Sequence, residues 1–185
     1  MEVVKTNIDD LLIIVPKIYG DSRGWFVESW QASRYADVGI TSNFVQDNMS
    51  FSKKGTLRGL HLQKPTQGKL VQVLNGSIFD VAVDLRKGSP TFGKWASVIL
   101  TSENKKQFWV PEGFAHGFYV MSETALFSYK CTEYYNPKGE ISILWEDRDI
   151  GIHWPIGTLS NLPLLSGKDA NAKSLQWWVD QKAFV

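Results

Sequence analysis

Short strand-length runs, each stopped by turn residues, recur along this chain and leave little room for any fold that is not built from β-sheet. Leu11 to Val15 is a compact apolar run ended by Pro16. Lys69 to Leu74 is a second, followed by Asn75-Gly76, a pair that signals a hairpin because its turn takes positive φ at both positions. Ser77 to Leu85 follows, with Phe79, Val81, Val83 and Leu85 on one face and Ile78, Asp80, Ala82 and Asp84 on the other. Trp95 to Leu100, Gln107 to Val110, Phe114 to Met121 and Leu126 to Thr132 continue the series. Helix is expected only over Gln31 to Asp37, ended by Gly39, and near Ala172 to Gln181, where Leu175, Trp178 and Val179 follow helical spacing. Strands at this density predict an all-β sandwich or barrel. The stretch from Pro155 to Pro163 reads as a surface excursion before a terminal cap. With no internal repeat and no linker composition, residues 1–185 read as a single domain.

Charge and composition narrow the function. The formal net charge is +1, so neither a nucleic-acid binder nor a membrane-surface protein is implied. Phosphate affinity would have to come from locally placed Arg and Lys. The single cysteine, Cys131, excludes an intrachain disulfide and reads as a plain buried thiol. The first residues lack a basic stretch followed by an apolar core, and no apolar run reaches membrane-spanning length; the cytoplasm is the expected location. No glycine-rich dinucleotide fingerprint, P-loop or Gly-x-Ser-x-Gly elbow is present.

Of three histidines, His153 sits in the apolar Ile152-His153-Trp154-Pro155 and reads as structural. The other two have distinctive company. His61 ends Leu57-Arg58-Gly59-Leu60-His61, and His116 lies in Pro111-Glu112-Gly113-Phe114-Ala115-His116-Gly117-Phe118. Arg58, Lys69, Tyr129 and Lys130 lie in or beside strand-like segments, and a barrel can turn such groups into one mouth. Pro111-x-Gly-x-x-His116 is half of a cupin metal signature. The other half, His-x-His, is missing, because Leu62 and Gln63 follow His61. Two imidazoles fall short of the three or four ligands that a catalytic metal needs, so no metal is expected.

These motifs resemble the dTDP-4-dehydrorhamnose 3,5-epimerase family. The matching segments are Asp21 to Glu28, Gln46 to Ser50, Arg58 to Gln63, Gly68 to Val71, Asp80 to Arg86, Ser89 to Gly93, Pro111 to Phe118, Tyr129-Lys130, Trp154-Pro155 and Ser166 to Asp169. The resemblance implies a cupin-type double-stranded β-helix, or jelly-roll barrel, with a few short flanking helices. It implies a homodimer, in keeping with the apolar N-terminal material before Gly20, which a small barrel would not bury alone. The loop Leu62 to Gly68 looks short beside some members, with an effect expected on rim contacts. Trp25 replaces a commoner Phe.

The implied substrate is a nucleotide-linked 4-keto-6-deoxyhexose whose C3 and C5 protons are acidified by the C4 ketone. No hydride moves and no cofactor is needed. By resemblance His61 is the base, Asp169 orients it, Lys69 stabilises the enolate at the C4 oxygen with catalytic His116 nearby, and Tyr129 returns a proton from the opposite face. Arg23 and Arg58 match positions contacting phosphate or base, and Glu28, Gln46 and Asn48 match thymine and deoxyribose contacts. Tyr135 matches an aromatic that stacks on the base, with Glu140 and Lys168 at the same rim. Arg58 and His61 are three apart, so an ideal strand would turn them to opposite faces and a bulge must intervene. Alternatives remain open: epimerisation at one carbon only, 3,4-ketoisomerisation, a silent sugar-nucleotide binder, or a metal-dependent cupin oxygenase.

Overall fold

A computed structural model describes residues 1–157 and 162–184. The excursion expected over Pro155 to Pro163 falls partly outside them. Thirteen strands are described: β1 (Glu2–Lys5), β2 (Leu12–Val15), β3 (Ile18–Asp21), β4 (Gly24–Val27), β5 (Gln46–Lys53), β6 (Leu57–Leu62), β7 (Lys69–Asn75), β8 (Ser77–Asp84), β9 (Trp95–Thr101), β10 (Gln107–Val110), β11 (Phe114–Val120), β12 (Thr124–Cys131) and β13 (Ile141–Ser142). Three short helices accompany them: α1 (Ala32–Ala36), α2 (Gly167–Ala170) and α3 (Leu175–Asp180). One sheet runs β1-β2-β10-β7-β12-β5 and a second runs β13-β6-β11-β8-β9, while β3 and β4 form a separate hairpin. This is the two-sheet jelly roll of cupin type.

The Asn75-Gly76 expectation needs correction. β7 pairs with β10 and β12, β8 pairs with β11 and β9, and the two strands joined by the turn lie in different sheets. Only Gly76 has positive φ there, at +83°, so the turn is not the two-residue hairpin type. It is a corner between sheets. A Cβ on Gly76 would lie 2.1 Å from the Thr124 carbonyl, so glycine is required for close approach as well as for its φ.

The central strands of both sheets are packed on both faces. Between them Val71, Val73, Phe108, Val110 and Phe127 of one sheet meet Ile78, Ala82, Val98, Leu100 and Phe118 of the other. Outside the second sheet, Leu60, Val81, Val83 and Leu85 are covered by Ile143, Ile150, Leu175 and Trp178. Outside the first, Ile14, Leu70 and Trp109 are covered by Tyr35 and Ile40. That explains why β8 carries apolar residues on both faces rather than alternating with polar ones. Of the helical spacing expected near the C-terminus, Leu175 and Trp178 pack inward, but Val179 stays exposed. Cys131 is buried and free, as expected. Among the described residues no helix is long and apolar enough to cross a membrane.

A buried carboxylate ties the sheet ends together. Asp84, on β8, accepts hydrogen bonds from Arg86 Nε and Nη2 at 2.9 and 2.7 Å and from the Ser89 and Thr91 hydroxyls at 2.6 Å each. Arg86 Nη1 also reaches Asp10, in the β1–β2 connection of the other sheet. Burial on its own would raise the Asp84 carboxyl, but these donors outweigh it and hold it at about 2, below the ordinary 3.8. The depressed value means the stabilisation is present above about pH 4 and is lost as pH falls toward 2. Asp84→Asn should therefore cost about 2 kcal/mol near pH 7. In urea unfolding the gap between the two proteins should close as pH falls to about 2, and a gap independent of pH would reject the charge-based clamp.

Candidate active site

β6 and β11 run side by side, with His61 opposite His116 and Arg58 opposite Phe118. Three steps along β6 thus span two along β11, and the surplus residue forms a bulge. The bulge removes the alternation that would have set Arg58 and His61 on opposite faces, and both line one cavity. Two glycines make it possible. A Cβ on Gly59 would lie 2.6 Å from Gly117 Cα, and one on Gly117 would lie 2.8 Å from the Arg58 carbonyl.

The cavity, of about 680 Å³, opens between the sheets. β6 supplies Arg58 and His61, β7 Lys69, β11 His116, β12 Tyr129, and α2 Lys168 and Asp169. A neighbouring space of about 280 Å³ shares His61, Lys69, Tyr129, Tyr135 and Glu140 and adds Gln46 and Asn48. Another concavity, of about 850 Å³, lies elsewhere, between α1 and the start of β5. Its only charged groups, Asp47 and Lys130, pair with each other at 2.9 Å, so it offers no free base or acid.

His61 Nε2 and Asp169 Oδ1 are 2.5 Å apart, although the residues are 108 apart in sequence. Asp169 is buried, and its second oxygen accepts from the Ser166 hydroxyl at 2.7 Å. Ser166 also caps α2 by accepting from Asp169 N–H at 3.1 Å. Ser-Gly-Lys-Asp is therefore one capped helical turn that delivers a carboxylate inward, where composition alone suggests only a surface turn. Burial would lift the Asp169 carboxyl, but the hydrogen bond and charge of His61 and the Ser166 hydroxyl outweigh it and hold it below its ordinary value.

The other groups are tuned by burial. Desolvation lowers the Lys69 ammonium, with Cys131, Asp80 and Glu140 pulling the other way. Desolvation raises the Tyr129 phenol, with a further push from Cys131, so the hydroxyl keeps its proton at neutral pH. Arg58 Nε donates to Ser52 Oγ at 3.1 Å, and among the described residues its guanidinium forms no ion pair. That leaves it open to an anionic ligand. No three His, Cys, Asp or Glu side chains converge as a metal set among the described residues.

The rim is a connected chain. Gln46 Nε2 donates to Asn48 Oδ1 at 3.0 Å, and Tyr135 N–H donates to Gln46 Oε1 at 2.9 Å. Tyr135 OH donates to Glu140 Oε2 at 3.2 Å, and Lys168 Nζ meets Glu140 Oε1 at 2.5 Å. The loop from Leu62 to Gly68 holds this rim from behind. Buried Gln63 donates to Tyr134 O at 2.8 Å and accepts from Asn136 N, and buried Gln67 donates to Glu133 O at 2.6 Å. Sequence reasoning gave no role to either glutamine, or to Ser166 and Ser52, although Gln63 and Ser166 lie in family-matching segments. A Gln flanking a Pro-Thr loop carries no pattern that marks it as a post.

Arg23 and Glu28 are not brought to the cavity. Arg23 sits on the exposed β3–β4 hairpin, bonded to Asp21 at 2.6 Å, and Glu28 pairs with Arg34 at 2.9 Å. The apolar material before Gly20 is divided: Ile8, Leu11 and Ile14 are buried within the chain's own sheet packing, whereas Val4, Ile18 and Tyr19 are exposed, as are Trp25 and Phe26 on the hairpin and Met49 and Phe51 on β5.

Residues 5–176 match the family profile described as dTDP-4-dehydrorhamnose 3,5-epimerase. A curated relative of that name from Salmonella typhimurium is 56% identical over 178 residues, covering 95% of this chain and 96% of its own. The solved structure of a dTDP-6-deoxy-D-glucose-3,5-epimerase from Legionella pneumophila, in complex with dTDP-4-keto-L-rhamnose, superposes with a TM-score of 0.93 at 58% identity. It covers 98% of this chain and 96% of that one. A dTDP-4-dehydrorhamnose 3,5-epimerase from Elizabethkingia anophelis gives a TM-score of 0.89 at 49% identity, with 95% and 97% coverage.

Ser166 offers a direct check on the dyad. Ser166→Ala removes the α2 cap and the second bond to Asp169, an effect of about 1–2 kcal/mol, or roughly tenfold, on turnover at this site. Ser166→Thr, which keeps the hydroxyl, should restore most of it. Equal loss in both variants would mean that the hydroxyl does not support the carboxylate.

Proposed function

The chain belongs to the dTDP-4-dehydrorhamnose 3,5-epimerase family, and on that premise we propose that it inverts C3 and C5 of a dTDP-4-keto-6-deoxyglucose by proton transfer through an enolate, within dTDP-L-rhamnose or related deoxysugar synthesis. One observation carries the assignment of roles. A carboxylate-backed imidazole on β6 and a protonated phenol on β12 enter one cavity from opposite sheets, with an ammonium on β7 beside them.

Each inversion is one proton out and one proton in. His61 takes the proton from the carbon next to the ketone, and the C–H electron pair becomes the C=C bond of an enolate whose charge rests on the C4 oxygen. Asp169 holds the ring and balances the imidazolium that forms. Lys69 and His116 stabilise the oxygen in a site drier than water, where fixed donors act strongly. Tyr129 then protonates the carbon from the far side, and solvent resets both groups. The same set serves C3 and C5 because both carbons flank one carbonyl. Arg58 and Lys168 suit the diphosphate, and Tyr135, Gln46 and Asn48 suit the thymidine.

We read residues 1–185 as one catalytic domain and the active form as a homodimer. Trp25 is 59% exposed and Phe26 is 64% exposed, on a hairpin that its own chain leaves largely uncovered. A second copy covering that hairpin would also give Arg23 and Glu28 a substrate to contact, which their own chain does not. A reduced, buried Cys131 agrees with a cytoplasmic setting.

Incubation with the 4-keto substrate in heavy water, followed by NMR, should place deuterium at C3 and C5. His61→Ala should abolish labelling at both carbons, and Tyr129→Phe should reduce net inversion by about 10²–10⁴-fold. Label at a single carbon would replace this reading with one-position epimerisation. Light scattering should give the mass of two chains, and Trp25→Glu should shift it toward one; a stable wild-type monomer would remove the dimer from the proposal.

A further inference from the structure

His61 and His116 stand opposite each other across β6 and β11, and each gives its Nε2 to a carboxylate. The two pairs are built differently. Both oxygens of Asp169 are engaged, one by His61 and one by Ser166. Asp80, on β8, is 0% exposed, with Oδ1 at 2.8 Å from His116 Nε2, and its Oδ2 has no hydrogen-bond partner among the described residues. A carboxylate sealed from water with one bare oxygen is costly unless its charge is matched or carries a proton. The groups able to match it are His116 and, at longer range, Lys69.

The other ring nitrogen of His116 completes the geometry. Nδ1 makes no hydrogen bond among the described residues, yet it is not among the sealed, unpartnered atoms, and His116 lines the cavity. Phe127 stacks nearly parallel on the ring, with centroids 6.0 Å apart and planes 16° apart, which fixes its plane. We propose that Asp80 is a positioning residue that keeps His116 a permanent hydrogen-bond donor toward the substrate's C4 oxygen. The pair holds two protons, one shared between Nε2 and Oδ1 and one on Nδ1 facing the cavity.

The proton count explains the design. If the shared proton sits on Nε2, the pair is imidazolium and carboxylate; if it sits on Oδ1, both partners are neutral. Nδ1 carries hydrogen either way, and the pair has no net charge, as its depth requires. Burial raises the Asp80 carboxyl, with His116 pulling it back. Without the carboxylate, a neutral imidazole that donates Nε2–H inward would present a lone pair to the enolate oxygen, the wrong tautomer for stabilising it.

This inference rests on the enolate chemistry above, so its test includes a readout that needs no substrate. In protein labelled with ¹⁵N-histidine, the His116 Nδ1 resonance should be that of a protonated nitrogen near pH 7. In Asp80→Asn, which preserves shape but removes the charge, Nδ1 should become an unprotonated acceptor. kcat should fall by about 10²–10³-fold with KM changed less than about threefold. The alkaline limb of the kcat profile should move to lower pH, because the charge that favours the doubly protonated ring is gone. The other titratable and charged groups on this cavity, His61 and Arg58 on β6, Lys69 on β7, Tyr129 on β12, Lys168 and Asp169 on α2, and Glu140, are unchanged in the variant. A structural lesion would lower the melting temperature and kcat without moving that limb. An unprotonated Nδ1 in the wild-type protein, or an unmoved limb in a folded Asp80→Asn, would overturn the proposal. If Asp80→Asn does not fold, the wild-type nitrogen spectrum decides alone. Absent deuterium exchange in the wild type would overturn the epimerase reading and leave the nitrogen spectrum to judge Asp80 independently.

Discussion

The contact on which this site depends is made by two residues without side chains. Gly59 and Gly117 bring the backbones of β6 and β11 so close that a methyl group on either would overlap the other strand. The bulge at that contact turns Arg58 and His61 toward one space and sets His61 across from His116. A guanidinium and two imidazoles are thereby gathered from a few positions on two neighbouring strands. The other cavity-lining groups come from single positions on their own strands, Lys69 at the start of β7 and Tyr129 near the end of β12.

Much of the barrel was readable because strand-length apolar runs and turn residues are local signals. The runs at Lys69, Ser77, Trp95, Gln107 and Phe114 became strands within a residue or so of their expected bounds. What escaped has physical causes. β5 carries Gln46, Asn48, Ser50 and Ser52 on one face, and β6 sets Arg58, Gly59 and His61 among three leucines, so the hydrophobic pattern that reveals a strand is weakest beside the cavity. Asn75-Gly76 carries the composition of a hairpin, but local turn chemistry does not say whether the flanking strands pair or part, and here tertiary packing sends them to opposite sheets.

The site was legible to different depths. His61, Lys69, His116 and Tyr129 meet in one cavity, as their family resemblance implied. Asp169 could not have been joined to His61 from spacing, since a single helical turn far along the chain brings it in. The supports were silent. Ser166, Gln63 and Gln67 hold functional groups through hydrogen bonds to backbone or to a second oxygen, and neither periodicity nor composition registers such bonds. Asp80 was visible only as a polar residue on a strand face, and its meaning depends on a neighbour on β11.

The distance in sequence between His61 and Asp169 also has a consequence for how the protein comes into being. A ribosome that has released β1 through β13 has supplied every described strand of both sheets, and with them His61, Lys69, His116 and Tyr129. His61 at that moment still lacks Asp169, which arrives only with α2. A nascent chain can therefore pair the strands of both sheets before it can join His61 to Asp169, and the cover that Leu175 and Trp178 lay over the second sheet comes later still.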